Sequence, residues 1–149
     1  MRLSCSAVVA LAVLASFASR NAQADCGDRP ADASAYGHKH KVYNFNGEPP
    51  EWSQDTLFVW TSAQGEQCFS LETSGINGHE CGAKGKLEAA GPRRLRFNAD
   101  VCSIEIKSVG RSLALSAGKG WARSGAGGNC PKRFGCGMYG SVESGTFSP

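Results

Sequence analysis

Six cysteines beyond the start of the chain constrain this sequence more than any other feature. They are Cys26, Cys68, Cys81, Cys102, Cys130 and Cys136, and a seventh, Cys5, lies within the first 24 residues. An even number of cysteines in a small exported chain indicates a framework of disulfides, here three. Structural zinc sites favour cysteines about two to four residues apart, and no Cys-x-x-Cys occurs in the chain. We therefore expect three disulfides and no metal or other cofactor.

The first 24 residues have the pattern of a secretory signal peptide. Arg2 supplies the positive charge near the start, residues 7–18 are an apolar run, and Ala22-Gln23-Ala24 matches the small-x-small cleavage site. The apolar run is shorter than the ~20 residues that a helix needs to span a bilayer. Asp25 stands where a lipoprotein signal needs a small residue, which argues against a lipid anchor. We expect cleavage between Ala24 and Asp25, and a mature chain that is secreted or periplasmic.

The remaining chain predicts one all-β domain. Residues 25–56 form a polar, turn-rich N-terminal segment with room for a strand over 41–45, and residues 57–149 carry the core of the domain. Leu57–Trp60 is a short apolar run, after which apolar and polar residues alternate between turns. A last strand is expected over 139–147. This pattern predicts a small antiparallel barrel or sandwich of about seven or eight short strands, stapled by disulfides.

The positions of the cysteines within the predicted strands favour one of the fifteen possible pairings. Cys81 and Cys102 fall in the inward rows of strands that we expect to be neighbours, so they are placed to meet in the core. Cys68 falls on an outward face, where a bond to Cys26 would hold the start of the mature chain. The preferred pairing is therefore Cys81–Cys102, Cys26–Cys68 and Cys130–Cys136.

The segment between the last two cysteines is the first candidate for a displayed binding surface. Lys132, Arg133 and Phe134 would lie at the tip of a small ring that is closed by Cys130 and Cys136. Two basic residues beside an aromatic residue form a plausible recognition element. The alternative is that the ring fixes a tight turn before the closing strand.

Charge is distributed unevenly along the mature chain. Residues 25–80 hold nine acidic and three basic residues, whereas residues 81–149 hold four acidic and eleven basic residues. The simpler interpretation is that the two halves neutralise each other across one compact fold. The alternative is a protein with an acidic face and a basic face.

The basic half contains a second candidate surface. Four basic residues fall on the outward face of two adjoining predicted strands, and Lys132 and Arg133 would extend that face. The four are Lys84, Lys86, Arg94 and Arg96. Such a patch can bind an anionic envelope polymer or nucleic acid through charge. The alternative is an ordinary solvated set of charges that protects strand edges.

Catalytic chemistry is less strongly indicated. His38 and His40 share a face if their segment is extended, a spacing that can chelate a metal, but the simpler interpretation is a solvated polar tail. Glu48 and Glu51 bracket two prolines, where a solvated turn is more common than an acid–base pair. His38 or His79, with Arg96 and a carboxylate, would suit a small ribonuclease. None of the usual catalytic motifs occurs, so we expect a non-enzymatic protein.

Short motifs in the second half resemble a known group of proteins. They are Ser74-Gly75-Ile76-Asn77-Gly78-His79-Glu80-Cys81, Cys102-Ser103-Ile104-Glu105-Ile106, Cys130 to Cys136-Gly137, and Gly145-Thr146-Phe147. The pattern resembles small secreted cysteine-containing bacterial β-proteins, mostly uncharacterised, and more loosely periplasmic lysozyme-inhibitor-type proteins. The resemblance implies a β fold and inhibition of an envelope-acting enzyme, and it carries no catalytic residues over to this chain.

Together these observations predict an exported, non-enzymatic binding module. Its partner would be another protein or an anionic polymer outside the cytoplasm, and an inhibitor of an enzyme such as lysozyme is the leading subclass. Because lysozymes are generally cationic, an inhibitor would contact them with the acidic half. The alternatives are a binder of anionic polymers through the basic half and a small secreted hydrolase or nuclease.

Overall fold

The protein is an all-β barrel that is nearly closed. The computed structural model describes residues 26–75, 78–121, 130–136 and 141–149. Eight antiparallel strands follow one another in chain order, each hydrogen-bonded to the next. They are β1 (Ser34–Val42), β2 (Glu51–Thr61), β3 (Gln67–Ser74), β4 (Glu80–Gly91), β5 (Arg94–Phe97), β6 (Ile104–Val109), β7 (Ser112–Ala117) and β8 (Gly145–Phe147). The prediction of a small all-β fold stapled by disulfides is confirmed.

Helical structure is minor in the described chain. One α-helix, α1, spans Cys130–Arg133, and 3-10 turns span Asp100–Cys102 and Lys119–Trp121. No helix among these residues is long and apolar enough to cross a membrane. The predicted signal peptide lies outside the described residues, as do the glycine run 125–128 and the beginning of the predicted last strand.

The barrel closes through a single pair of residues. Gly37 of β1 and Ser148, just after β8, exchange two backbone hydrogen bonds of 2.7 and 2.9 Å. Among the described residues no other backbone pair joins these two strands. We call this line between β1 and β8 the seam.

Alternating side chains fill the interior of the barrel, as the sequence predicts. On β4, Cys81, Ala83 and Leu87 are buried, whereas Lys84 between them is exposed. The largest fully buried side chains are Trp121, Phe69, Phe147, Leu57, Leu71, Ile104 and Leu115. Small barrels are commonly filled in this way. Burial of this apolar surface is the main source of their stability.

The first and last strands differ from the prediction. β1 spans Ser34–Val42, so it overlaps the strand predicted over 41–45 only at its last two residues. Its inward row contains His38 and His40, which carry no apolar signal, so the period-two pattern is hidden. β8 is limited to Gly145–Phe147.

One predicted disulfide is confirmed and two are wrong. Cys26 is bonded to Cys68 as expected. The other bonds are Cys81–Cys136 and Cys102–Cys130. Cys81 and Cys102 do both face the core, but β5 lies between their segments, and neighbouring strands are ~4.8 Å apart. Each inward cysteine therefore bonds to the segment that folds over this end of the barrel, residues 130–136, which we call the capping segment.

The N-terminal tail is fastened to the outside of the sheet. Besides the disulfide of Cys26, the Arg29 guanidinium carbon lies 3.6 Å from the centre of the Phe58 ring. Arg29 Nη1 also donates to Glu72 Oε1 over 2.7 Å. These contacts cover part of the outer face of β2 and β3, which explains why outward-facing Cys68 is fully buried.

Candidate functional site

The first two strands extend beyond the rest of the sheet. β1 pairs with β2 as far as Val42 and Glu51, whereas β3 pairs with β2 only over Thr56–Thr61. Residues 38–42 and 51–55 therefore form a two-stranded ribbon, joined by residues 43–50. We call residues 38–55 the β1–β2 arm.

The β1–β2 arm carries most of the large exposed apolar side chains of the described chain. Tyr43, Phe45 and Trp52 are 61%, 63% and 69% exposed, and the remaining two such residues, Val101 and Val109, lie elsewhere. Tyrosine, tryptophan and phenylalanine are residue types that are enriched in the cores of protein–protein interfaces.

Polar groups surround Trp52 on one face of the β1–β2 arm. Lys41 lies opposite Trp52 in the strand pairing, and its Nζ is 5.4 Å from the centre of the indole ring. A shallow cleft of about 470 Å³ is lined by Lys39, Trp52, Ser53 and Gln54. This face combines one large apolar platform with ammonium and amide groups, a composition suited to recognition.

The opposite face of the β1–β2 arm holds a histidine pair. The rings of His38 and His40 are stacked, with centroids 5.9 Å apart and an interplanar angle of 13°. His40 Nε2 donates to Asp55 Oδ1 over 2.9 Å, and the same oxygen accepts the backbone N–H of Ser74 at 3.0 Å. Asp55 is only 6% exposed. These two hydrogen bonds supply the partners that a buried carboxylate needs.

His38 fills the seam where the backbone pairing ends. Its Nδ1 donates to the Thr146 carbonyl oxygen over 2.9 Å, and its ring lies 5.3 Å from that of Phe147. A Cβ at Gly145 would stand only 3.1 Å from the imidazole, so this glycine makes room for the ring. The prediction that the two histidines lie in a solvated tail is therefore wrong. Within the described ranges no three metal-ligating side chains converge.

The four basic residues of β4 and β5 do lie on the outward face, but three of them are ion-paired. Lys86 Nζ is 2.6 Å from Glu66 Oε1. Arg96 and Arg94 approach the two carboxylate oxygens of Glu105 at 2.8 and 3.7 Å. Lys84 is exposed and forms no ion pair with any residue that the structure describes. The positive charge of this surface is therefore largely balanced locally.

These ion pairs shift the pKa values of Lys86 and Glu105. The hydrogen bond from Lys86 to Glu66 raises the pKa of the lysine above its ordinary value. The hydrogen bond from Arg96 lowers the pKa of the Glu105 carboxyl, with the charge of Arg94 acting in the same direction. Both groups are partly open to solvent, so these shifts report local charge pairing more than a contribution to stability.

The capping segment displays its charges but not its aromatic ring. Lys132 and Arg133 are exposed on α1. Phe134 packs inward, with its ring 5.0 Å from Trp121 and 5.9 Å from Phe97. The prediction of Phe134 at an exposed tip is wrong because the cysteines on either side of it bond to the barrel and not to each other.

The groups considered for catalysis are not brought together. Glu48 and Glu51 are both exposed near the turn of the β1–β2 arm. His38 faces the seam, whereas Arg96 points outward from β5 and is bonded to Glu105. The arrangement that sequence reasoning missed is the His40–Asp55 pair. His40 and Asp55 are diagonal neighbours on one face of β1 and β2, and only the strand register places them there.

Comparisons with known proteins add no relative to this description. Neither the protein-family models, nor the curated proteins, nor the solved structures contain a match to the chain. The resemblance to lysozyme-inhibitor-type proteins therefore stays an expectation from the sequence motifs.

Proposed function

We propose that this chain is an exported, non-enzymatic binding module that docks onto another protein through the β1–β2 arm. The function that we favour for this binding is inhibition of a secreted or envelope-acting enzyme such as lysozyme. The observation that carries the proposal is the exposure of Tyr43, Phe45 and Trp52 on a ribbon that extends beyond the pairing of β2 with β3. Tryptophan and tyrosine are enriched among the few residues that carry most of the binding energy in protein interfaces.

The rest of the molecule supports a binding role for the arm. The barrel interior is filled by its own side chains, so a ligand is more readily met on the surface. Three disulfides are compatible with a location outside the cytoplasm. In this proposal the mature chain begins at Asp25, after removal of the signal peptide, and acts in the periplasm or outside the cell.

The test measures inhibition of a panel of lysozymes and other secreted hydrolases by the purified chain from Asp25 to Pro149. We expect micromolar or tighter inhibition of at least one enzyme. Trp52→Ala is expected to weaken it by about tenfold or more, as removal of an aromatic anchor does. Val109→Ala is the matched control because Val109 is an exposed apolar residue outside the arm. An equal loss of inhibition in both variants, or no inhibition of any enzyme by the parent, would contradict the proposal.

A small hydrolase or nuclease is the second candidate, and the His40–Asp55 pair is the observation that favours it. A buried carboxylate that holds one imidazole nitrogen orients the ring as a general base. This candidate predicts turnover of RNA or peptidoglycan that disappears in His40→Ala and survives in Trp52→Ala. Turnover that is unchanged in His40→Ala would exclude the His40–Asp55 pair as the catalytic base.

A further inference from the structure

The outer edge of β1 has backbone groups that no strand of the described chain covers. Gly37 directs both its N–H and its C=O towards Ser148. Because alternate residues of an antiparallel strand direct these groups to the same side, Lys39 and Lys41 direct theirs away from β2 as well. The pairing with β8 ends at Gly37, and Thr146 of β8 lies across the seam from Lys39. Within the described chain no backbone hydrogen bond joins the four groups of Lys39 and Lys41 to β8.

Space is available beside this edge. A cleft of about 640 Å³ runs along the seam and is lined by Tyr36, His38, Lys39, Thr146 and Ser148, among others. The His38 ring closes the seam towards the barrel interior through its bond to Thr146. An extended segment that lies along Lys39 and Lys41 would therefore meet an edge that is already held in position.

We propose that the edge of β1 at Lys39–Lys41 takes up an extended acidic segment of a partner protein as an added antiparallel strand. This inference rests on the proposed binding function and names the mode of binding. In β-strand addition the main-chain hydrogen bonds supply affinity, and the side chains at alternate positions supply specificity. Here Lys39 and Lys41 supply the specificity, because both are exposed on the same face of the edge.

Charge decides between the two possible occupants of this edge. A second copy of the chain, paired β1 to β1, would place the lysines of one copy against those of the other. Lysines on an exposed edge are a common means of preventing such self-association. The same lysines favour aspartate or glutamate at alternate positions of a foreign strand, since opposite charges across a strand pair are stabilising. Lys39 and Lys41 form no ion pair with the residues that the structure describes, so both charges are available.

The experiment measures binding of a fluorescent seven-residue peptide in which glutamate alternates with valine to the purified chain, by anisotropy. We expect saturable binding that falls about tenfold or more when the glutamates are replaced by lysine. Methylation of alternate backbone nitrogens, on the side that faces β1, is expected to reduce binding by a similar factor. A methylated peptide that binds as well as the parent would overturn strand addition and leave only attraction between charges.

Protein variants provide the reciprocal test. Lys39→Pro removes the outward N–H but leaves the ladder with β2 intact, since proline is tolerated on an edge strand when its nitrogen faces solvent. We expect it to weaken peptide binding more than Lys39→Gln, which removes the charge and keeps the donor. Equal binding by both variants and the parent would contradict the inference. Enzyme inhibition that depends on Trp52, without any peptide binding, would overturn this inference and leave the proposed function standing.

Discussion

Two segments of this protein combine basic and aromatic residues, and only one of them displays its aromatic side chains. In the β1–β2 arm, Lys41 lies beside Trp52, which is 69% exposed. In the capping segment, Lys132 and Arg133 precede Phe134, which packs against Trp121. The two segments look alike in composition. Their difference lies in what each is bonded to.

Disulfide connectivity explains this difference. A bond between Cys130 and Cys136 would have closed an independent ring and directed its tip outward. The actual bonds lead from Cys130 and Cys136 to Cys102 and Cys81, which both lie in the core cluster. The packing is tight, because a Cβ at Gly120 would collide with Cys130 Sγ. The capping segment is therefore fastened to the core through both of its cysteines, whereas the β1–β2 arm has no disulfide.

The largest expected effect is the loss of a capping disulfide. Replacement of Cys102 and Cys130 together by serine should lower the free energy of unfolding by about 3.6 kcal/mol, from the loop-closure entropy of their 28-residue separation. Urea unfolding of the variant and of the parent measures this loss of stability. Enzyme inhibition by the residual folded protein should be unchanged under conditions where the variant stays folded, because the arm is not held by this bond.

Peptide mapping of the unreduced protein tests the connectivity itself. Trypsin cuts after Lys132 and Arg133, and so separates Cys130 from Cys136. A second protease that cuts after glutamate separates Cys68 from Cys81 at Glu72. Recovery of Cys130 linked to Cys136 would contradict the capping arrangement.

A smaller effect should distinguish the two aromatic residues directly. Phe134→Ala is expected to lower the free energy of unfolding by about 2 kcal/mol, below the ~3–5 kcal/mol of a fully buried phenylalanine, because Phe134 is only partly buried. Trp52→Ala should change it by no more than about 0.5 kcal/mol, as for other exposed positions. Thermal or urea unfolding of the two variants makes the comparison, and similar losses of stability in both would contradict it.

The strands that can be predicted from the sequence are those in which apolar and polar residues alternate. The inward rows of β4 and β5 follow from Leu87, Leu95 and Phe97, whose period of two is plain in the sequence. The inward row of β1 runs from Tyr36 to Val42, but His38 and His40 between them break its apolar pattern and are held by bonds to Thr146 and Asp55. Such bonds join residues that are distant in sequence, so no local pattern reports them.

The candidate site was missed for a related reason. Exposure of Tyr43, Phe45 and Trp52 depends on where β3 stops pairing with β2, and that length is set by the register of the whole sheet. Aromatic residues of the strands take both positions in this chain, since Phe69 and Phe97 are buried whereas Trp52 is exposed. The prediction that Lys132 and Arg133 lie at the surface is confirmed.

The smallest expected effect concerns the third basic region, the outward face of β4 and β5. Glu105→Gln removes the carboxylate that Arg94 and Arg96 share, so both guanidinium groups become available to an anionic polymer. We expect this variant to elute from heparin at a modestly higher salt concentration than the parent. Glu48→Gln is the control because it removes the same charge at an exposed position on the arm. If the two variants shift equally, net charge and not the release of this pair governs the interaction, since screening by salt acts on both alike.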